Sequence, residues 1–136
     1  MGDERQIAIR QDGDIVAVRQ AGREIAAALG FSVTDQTVIA TAISEVARNI
    51  LEHASGGEVR IGEIRERGRH GIVVVARDDG PGIPDVARAL QDGFSTGRGL
   101  GMGLPGAKRL MDDLAVESSI GRGTTVRMVK WRPADA

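Results

Sequence analysis

The order of helical and strand patterns along the chain limits its fold more than any other feature. A short alternating strand at residues 7–10 precedes two helical patterns, which end near Gly30 and Ala54. Strand patterns at 58–65 and 71–77 follow and predict a hairpin. Because strands and helices do not strictly alternate, the order favours an α+β fold, with a mixed sheet covered on one face by helices, over a doubly wound parallel sheet.

The helix starts and the second half of the chain follow from local signals. Asp12 or Asp14 is predicted to cap the first helix, and the second is predicted to start near Thr34 or Asp35. The remaining pattern predicts a short helix, a mobile glycine-rich loop, a second helix and a final hairpin, at residues 85–90, 92–103, 104–114 and 116–131.

Composition excludes several classes of protein. The 136 residues, 41% of them hydrophobic, predict one folded domain over residues 1–136. The absence of cysteine excludes disulfides and thiolate chemistry, and a net charge of −1 gives no basic surface for nucleic acid. No apolar run approaches the ~20 residues of a membrane span, and the polar start of the chain is unlike a secretion signal. The expectation is a cytoplasmic protein that binds neither membrane nor nucleic acid.

The second helical pattern carries a carboxylate and an amide one turn apart. Glu45 and Asn49 project from one face, beside the apolar stripe that includes Ile43 and Val46. Asn is a poor residue for the middle of a helix, so its presence suggests a role for its side chain. A carboxylate and an amide oxygen in this arrangement can meet a metal and a reacting hydroxyl. A solvated polar edge of the helix remains an equally good interpretation of this segment alone.

The second motif ends the strand pattern at 71–77. Asp78 is followed by Asp79-Gly80-Pro81-Gly82-Ile83, in which the glycines leave room for a planar ligand. A buried carboxylate needs a donor, and the amino group of adenine is one. A turn that ends the strand and has acidic residues beside it is the simpler alternative.

The third motif runs from Gly97 to Leu104 and opens a helix. It follows no strand and has no βαβ setting, so a Rossmann site is not indicated, and the lysine of a P-loop is missing. Backbone amides at a helix start bind phosphate readily, and the hydroxyls of Ser95 and Thr96 precede them.

Taken in order, the three motifs resemble the asparagine box and the two glycine boxes of the GHKL ATPases, such as gyrase, histidine kinases and MutL. These share the Bergerat fold, and Gly121-Arg122-Gly123-Thr124 resembles its later G-x-G-T motif. The runs T-A-I-S-E-V-A-R-N, D-x-G-P-G-I-P-D and D-G-F-S-T-x-x-G-L-G-x-G-L-P-G-x-K-R-L-M-D closely resemble the RsbT-type switch kinases of the bacterial stressosome. The resemblance spans nearly the whole chain and places it in the anti-sigma regulatory kinase group.

The resemblance implies a serine/threonine protein kinase that uses ATP and Mg²⁺. It implies that Glu45 is the general base, that Asn49 binds the magnesium ion and that Asp78 binds adenine. The other residues that it implies contact the nucleotide are Gly80, Gly82, Ile83, Ser95, Thr96, Gly97, Gly99, Leu100, Gly101, Met102, Gly103, Leu104 and Thr124.

The resemblance also implies protein partners. The substrates would be STAS-domain scaffold and antagonist proteins of the stressosome, and the released kinase would activate a PP2C-type phosphatase in the general stress response. Two alternatives remain. One is an RsbW-type kinase that also sequesters a sigma factor, and the other is a binding module with a decayed site, against which the intact Glu45, Asn49 and Asp78 argue.

Overall fold

The computed structural model describes residues 4–81 and 103–133 of the chain. Within these residues the chain forms three helices and five strands. In chain order they are β1 (Arg5–Ile9), α1 (Asp12–Ala28), α2 (Val33–His53), β2 (Gly57–Glu66), β3 (Arg69–Asp78), α3 (Gly103–Leu110), β4 (Asp113–Ser119) and β5 (Gly123–Trp131).

The five strands form one sheet in the order β1-β2-β3-β5-β4, and all four pairings are antiparallel. The predicted α+β class is confirmed, but the expectation of a mixed sheet is wrong for these strands. The reason lies in the connections. Two helices, each reversing the chain direction, separate β1 from β2, whereas a single crossover helix would have made the strands parallel. Tight turns then join β2 to β3 and β4 to β5.

The helices cover one face of the sheet, and the hydrophobic core lies between the two layers. Alternate residues of the central strands point into it, including Val74 of β3 and Met128 of β5, each fully buried. Helix α2 is central, because it contacts both α1 and α3 as well as the sheet. On its inner face Ile39, Ile43, Val46 and Ile50 are buried, as the apolar stripe of the sequence predicts.

The first two helices begin and end close to their predicted bounds. The carboxylate of Asp14 accepts hydrogen bonds from the backbone amides of Arg10 and Gln11, at 2.8 and 3.1 Å, and so caps the start of α1. Gly30, just beyond α1, has a φ of +90°, as expected of a helix-ending glycine. The hydroxyl of Ser32 caps α2 by accepting from the amide of Asp35 at 3.1 Å.

The helix predicted at 104–114 is shorter in the structure. Helix α3 ends at Leu110, and β4 already begins at Asp113, before the predicted start of the last hairpin. The cause is a tertiary contact. The Asp112 amide donates to the carbonyl of Val129 at 3.0 Å, and its carboxylate accepts from the amide of Trp131 at 2.7 Å. These bonds bring the chain into the sheet at Asp112. The apolar spacing of the sequence, taken alone, would continue the helix beyond this point.

Some predicted elements lie outside the described residues, namely the short helix at 85–90 and the glycine-rich stretch up to residue 102. Among the helices of the described part, none is long and apolar enough to cross a membrane.

Candidate functional site

Helix α2 places Glu45 and Asn49 at the edge of its buried stripe, one turn apart. Both residues are partly buried. On the same helix Val46 is buried and Arg48 is exposed. The Glu45 side chain is only 11% exposed, and its Oε1 accepts a hydrogen bond from Nη1 of Arg48 at 2.9 Å. Within residues 4–81 and 103–133, this is the ion pair that Glu45 makes. The predicted carboxylate and amide therefore share one face.

The end of β3 places Asp78 in the interior. The residue is 8% exposed, and its Oδ1 accepts a hydrogen bond from the backbone amide of Gly80 at 2.9 Å. In the sheet, Asp78 pairs with Gly57 of β2 and Thr124 of β5. A buried carboxylate with one oxygen engaged by the following turn retains acceptor capacity for a ligand.

Gly80 brings the Asp78 turn against the end of α2. A Cβ at this position would lie 2.7 Å from Cβ of Ala54 and 2.8 Å from the carbonyl oxygen of His53. Only glycine allows so close an approach. The turn after β3 thus touches the helix that carries Glu45 and Asn49, which joins two motifs that are about thirty residues apart in the sequence.

Two further glycines make room around the backbone of Asp78. A Cβ on Gly123, whose φ is +91°, would overlap the carbonyl oxygen of Asp78. A Cβ on Gly57 would overlap the carbonyl oxygen of the preceding Arg77. Gly123 belongs to the predicted G-x-G-T motif, whereas Gly57 was not predicted to lie near the site. Its position beside Asp78 follows from the pairing of β2 with β3, which the sequence does not reveal.

Thr124 is buried beside Asp78, at 6% exposure, and a neighbouring strand holds its side chain. Its hydroxyl lies 3.0 Å from the hydroxyl of Ser118, which also donates to the carbonyl oxygen of Gly123 at 3.2 Å. Ser118 was not among the predicted site residues. The G-R-G turn of the last hairpin is the signal that would have paired it with Thr124.

Only the last two residues of the predicted phosphate motif lie in the described part of the chain, and they begin helix α3. Gly103 has a φ of +39°, and Leu104, 4% exposed, is part of the hydrophobic core. The packing of Leu104 explains its apolar character without a ligand. The remaining predicted contacts lie outside the described residues, and they are Gly82, Ile83, Ser95, Thr96, Gly97, Gly99, Leu100, Gly101 and Met102.

The acidic side chains of the described ranges do not form a metal cage, since no group of three or more His, Asp or Glu side chains comes together there. Mg²⁺ in nucleotide sites is usually held by one or two protein oxygens together with phosphates and waters. The amide oxygen of Asn49, beside Glu45, fits that donor set.

Among the described residues, a clear pKa shift is found at Glu63, away from Asp78. A hydrogen bond from Arg65 is the main cause that lowers the pKa of Glu63 below its usual 4.5. Burial of the carboxylate opposes this effect, and the charges of Arg65 and His70 add to it. Glu63 is six residues along β2 from Gly57, which corresponds to about 20 Å of strand. It is therefore not part of the site around Asp78.

Comparisons with known proteins agree with this geometry. The family described as "Histidine kinase-like ATPase domain" matches residues 9–130. The serine/threonine-protein kinase RsbT of Bacillus subtilis is 49% identical over 131 residues, covering 96% of this chain and 98% of that protein. An anti-sigma F factor of Caldanaerobacter subterraneus is 38% identical over 112 residues, covering 78% of this chain and 77% of that protein.

Solved structures share the fold at lower sequence identity. The RsbU and RsbW domains of a Mycobacterium tuberculosis protein match with a TM-score of 0.63 and 22% identity, over 98% of this chain and 34% of that chain. The mycobacterial sensor histidine kinase MprB matches with a TM-score of 0.56 and 17% identity, over 97% of this chain and all of that chain. The resemblance predicted from the motifs is confirmed.

Proposed function

Because the chain belongs to the histidine kinase-like ATPase domain family, we propose that it is an ATP-dependent protein serine/threonine kinase of the RsbT type. The observation that supports this best is the contact at Gly80, where the Asp78 turn packs against the end of the helix that carries Glu45 and Asn49. A nucleotide bound at Asp78 would then extend toward a carboxylate and an amide on one helix face. We propose that residues 1–136 form one such domain.

The adenine base is assigned to Asp78. Its carboxylate is buried and accepts hydrogen bonds, which suits the exocyclic amino group of adenine and opposes the carbonyl oxygen of guanine. Thr124, held by Ser118, lies in the adjacent strand and would complete the polar wall of the base pocket. Gly80, with the glycine and isoleucine that follow at 82 and 83, would leave space for the ring.

The phosphates are assigned to the segment from Ser95 to Leu104, whose backbone amides and hydroxyls suit an anion. Asn49 would hold Mg²⁺ through its amide oxygen. When bound, that ion would neutralise charge on the phosphate oxygens.

Glu45 is assigned the proton transfer. Its carboxylate is one helical turn from Asn49 and mostly shielded from water, so it would accept the proton of the incoming serine or threonine hydroxyl. In a phosphoryl transfer the protein mainly positions the reactants and balances charge, and one suitably placed base is enough for the proton.

The partners are proposed from the RsbT similarity. Relatives named as a serine/threonine kinase and as anti-sigma factors imply regulatory protein partners in general. We propose STAS-domain stressosome proteins as the substrates and a PP2C-type phosphatase as a second partner, activated without catalysis. A cytoplasmic location follows from these partners.

An anti-sigma kinase of the RsbW type is the second candidate. Its support is the 38% identity to the anti-sigma F factor, which is lower and covers less of the chain than the identity to RsbT. Stable capture of a sigma factor by the purified chain would favour it, and its absence alongside phosphorylation of a STAS protein would favour the switch kinase.

The decisive variant is Glu45→Ala. Removing a general base typically costs about 10²–10⁴ in rate, whereas ATP affinity should change little because Glu45 is not assigned to hold the nucleotide. Transfer of labelled phosphate to a STAS protein measures the first effect, and calorimetry with Mg-ATP measures the second. Glu66→Ala, which removes an exposed carboxylate at the far end of β2, is the control. Unchanged transfer by Glu45→Ala would overturn the assignment.

A further inference from the structure

The ion pair between Arg48 and Glu45 is unexplained by nucleotide binding. The two residues are three apart on α2, so their side chains lie on neighbouring positions of the helix surface. The Arg48 side chain is 48% exposed and that of Glu45 is 11% exposed, with 2.9 Å between Nη1 and Oε1. A cation therefore lies on the solvent side of the carboxylate that is proposed to act as the base.

A kinase base has two possible proton donors, the acceptor hydroxyl and water. In protein phosphorylation the hydroxyl oxygen bonds to the γ-phosphorus, the bond from that phosphorus to the β–γ bridging oxygen breaks, ADP leaves with the electron pair, and the carboxylate takes the hydroxyl proton. In hydrolysis a water oxygen takes the place of the hydroxyl, and the product is inorganic phosphate. Both reactions use the same base, and water is always present.

We propose that Arg48 decides between these two reactions. With no acceptor protein bound, its guanidinium occupies Glu45 Oε1 from the solvent side and keeps water from being activated there. An acceptor segment entering the site displaces Arg48, which frees Glu45 for the serine or threonine hydroxyl. Arg48 is thus a specificity-determining residue for a protein acceptor over water. The inference rests on the proposed kinase function and on Glu45 as its base.

The exposure of Arg48 allows such a movement. Glu45 is its ion-pair partner within the described residues, and the guanidinium sits at the surface, where an ion pair contributes little stability. Displacing it leaves the arginine in water rather than in a buried site. An entering substrate hydroxyl would then take the place of the cation at the carboxylate.

The test measures ATP hydrolysis without any acceptor protein. We expect Arg48→Ala to raise this rate by about tenfold, a part of the ~10²–10⁴ that a positioned base supplies. Transfer to a STAS protein should change less than hydrolysis does. Arg48→Lys keeps the charge but lacks the planar fork, so it should give an intermediate rate. Arg19→Ala, which removes an exposed arginine of α1, is the matched control.

A double variant shows whether the effect passes through Glu45. Combining Arg48→Ala with Glu45→Ala should return hydrolysis to the level of Glu45→Ala alone. Hydrolysis by Arg48→Ala at or below that of the parent, in a variant that binds Mg-ATP normally, overturns the inference. So does an increase that persists in the double variant. Loss of transfer in Glu45→Ala alongside either result leaves the proposed kinase and its base intact. Unchanged transfer in Glu45→Ala overturns only the role of Glu45 as the base, whereas the absence of transfer by the parent chain overturns the kinase assignment itself.

Discussion

Gly80→Ala tests the contact that joins the two halves of the site. The added Cβ would lie 2.7 Å from Cβ of Ala54, 2.8 Å from the carbonyl oxygen of His53 and 3.1 Å from Oδ1 of Asp78. The first two distances are shorter than real carbon contacts, and one of these atoms belongs to the backbone of α2. The strain cannot be relieved by turning a flexible side chain, so the turn after β3 must move away from the helix.

The size of the effect follows from that geometry. Overpacking a close contact typically costs about 1–3 kcal/mol, and the carbonyl contact places Gly80→Ala in the upper part of that range. ATP affinity should fall as well, because the displaced turn includes the amide that holds Oδ1 of Asp78. A shift worth about 1.4 kcal/mol in binding corresponds to a tenfold weaker Kd.

Urea unfolding and calorimetry with Mg-ATP measure the two effects. Gly13→Ala is the matched control, because Gly13 lies in α1 and a Cβ there meets nothing within 4 Å. That control should be neutral or more stable by up to ~1 kcal/mol. If Gly80→Ala matches the parent in stability and in ATP affinity, the turn is not packed on α2 as described.

Two further predictions concern charged side chains. Asp78→Asn should weaken ATP binding by about 1.5–3 kcal/mol, the usual value of a hydrogen bond to a charged group. The control Asp79→Asn, which changes the exposed neighbouring residue, should leave ATP binding unchanged. Equal affinities of the parent for ATP and GTP would contradict the adenine assignment. Because the folded protein lowers the pKa of Glu63 below 4.5, the stability from this carboxylate is present above its unfolded pKa and is lost as the pH falls through the folded one. Arg65→Ala should raise that pKa toward 4.5 in an NMR titration, and no movement would show that Arg65 is not its cause.

The sequence predicted the elements whose pattern is local. Helix α2 and the hairpin of β2 and β3 lie close to their predicted bounds, because apolar periodicity and capping residues are encoded within each segment. The predicted length of α3 was wrong. The carboxylate of Asp112 accepts a hydrogen bond from Trp131, and this contact across nineteen residues overrides the local apolar spacing. The antiparallel pairing of β3 with β5 likewise depends on register that no single segment contains.

The residues of the candidate site also fall into those that the local sequence predicts and those that depend on strand pairing. Glu45, Asn49 and Asp78 were predicted as site residues from the motifs, since their residue types and spacing are distinctive. Gly57 and Ser118 were missed, because each acquires its place only when a neighbouring strand pairs with it. The pairing of Arg48 with Glu45 was not predicted, because an arginine three residues from a glutamate on a helix is ordinarily solvated.

Transfer of phosphate from ATP to a protein hydroxyl can be observed by mass spectrometry of purified STAS-domain proteins after incubation with the chain and Mg-ATP. We expect one added phosphate on a serine or threonine, present with the parent chain and strongly reduced with Glu45→Ala. An unmodified STAS protein, in the presence of a folded parent chain that binds Mg-ATP, would contradict this expectation.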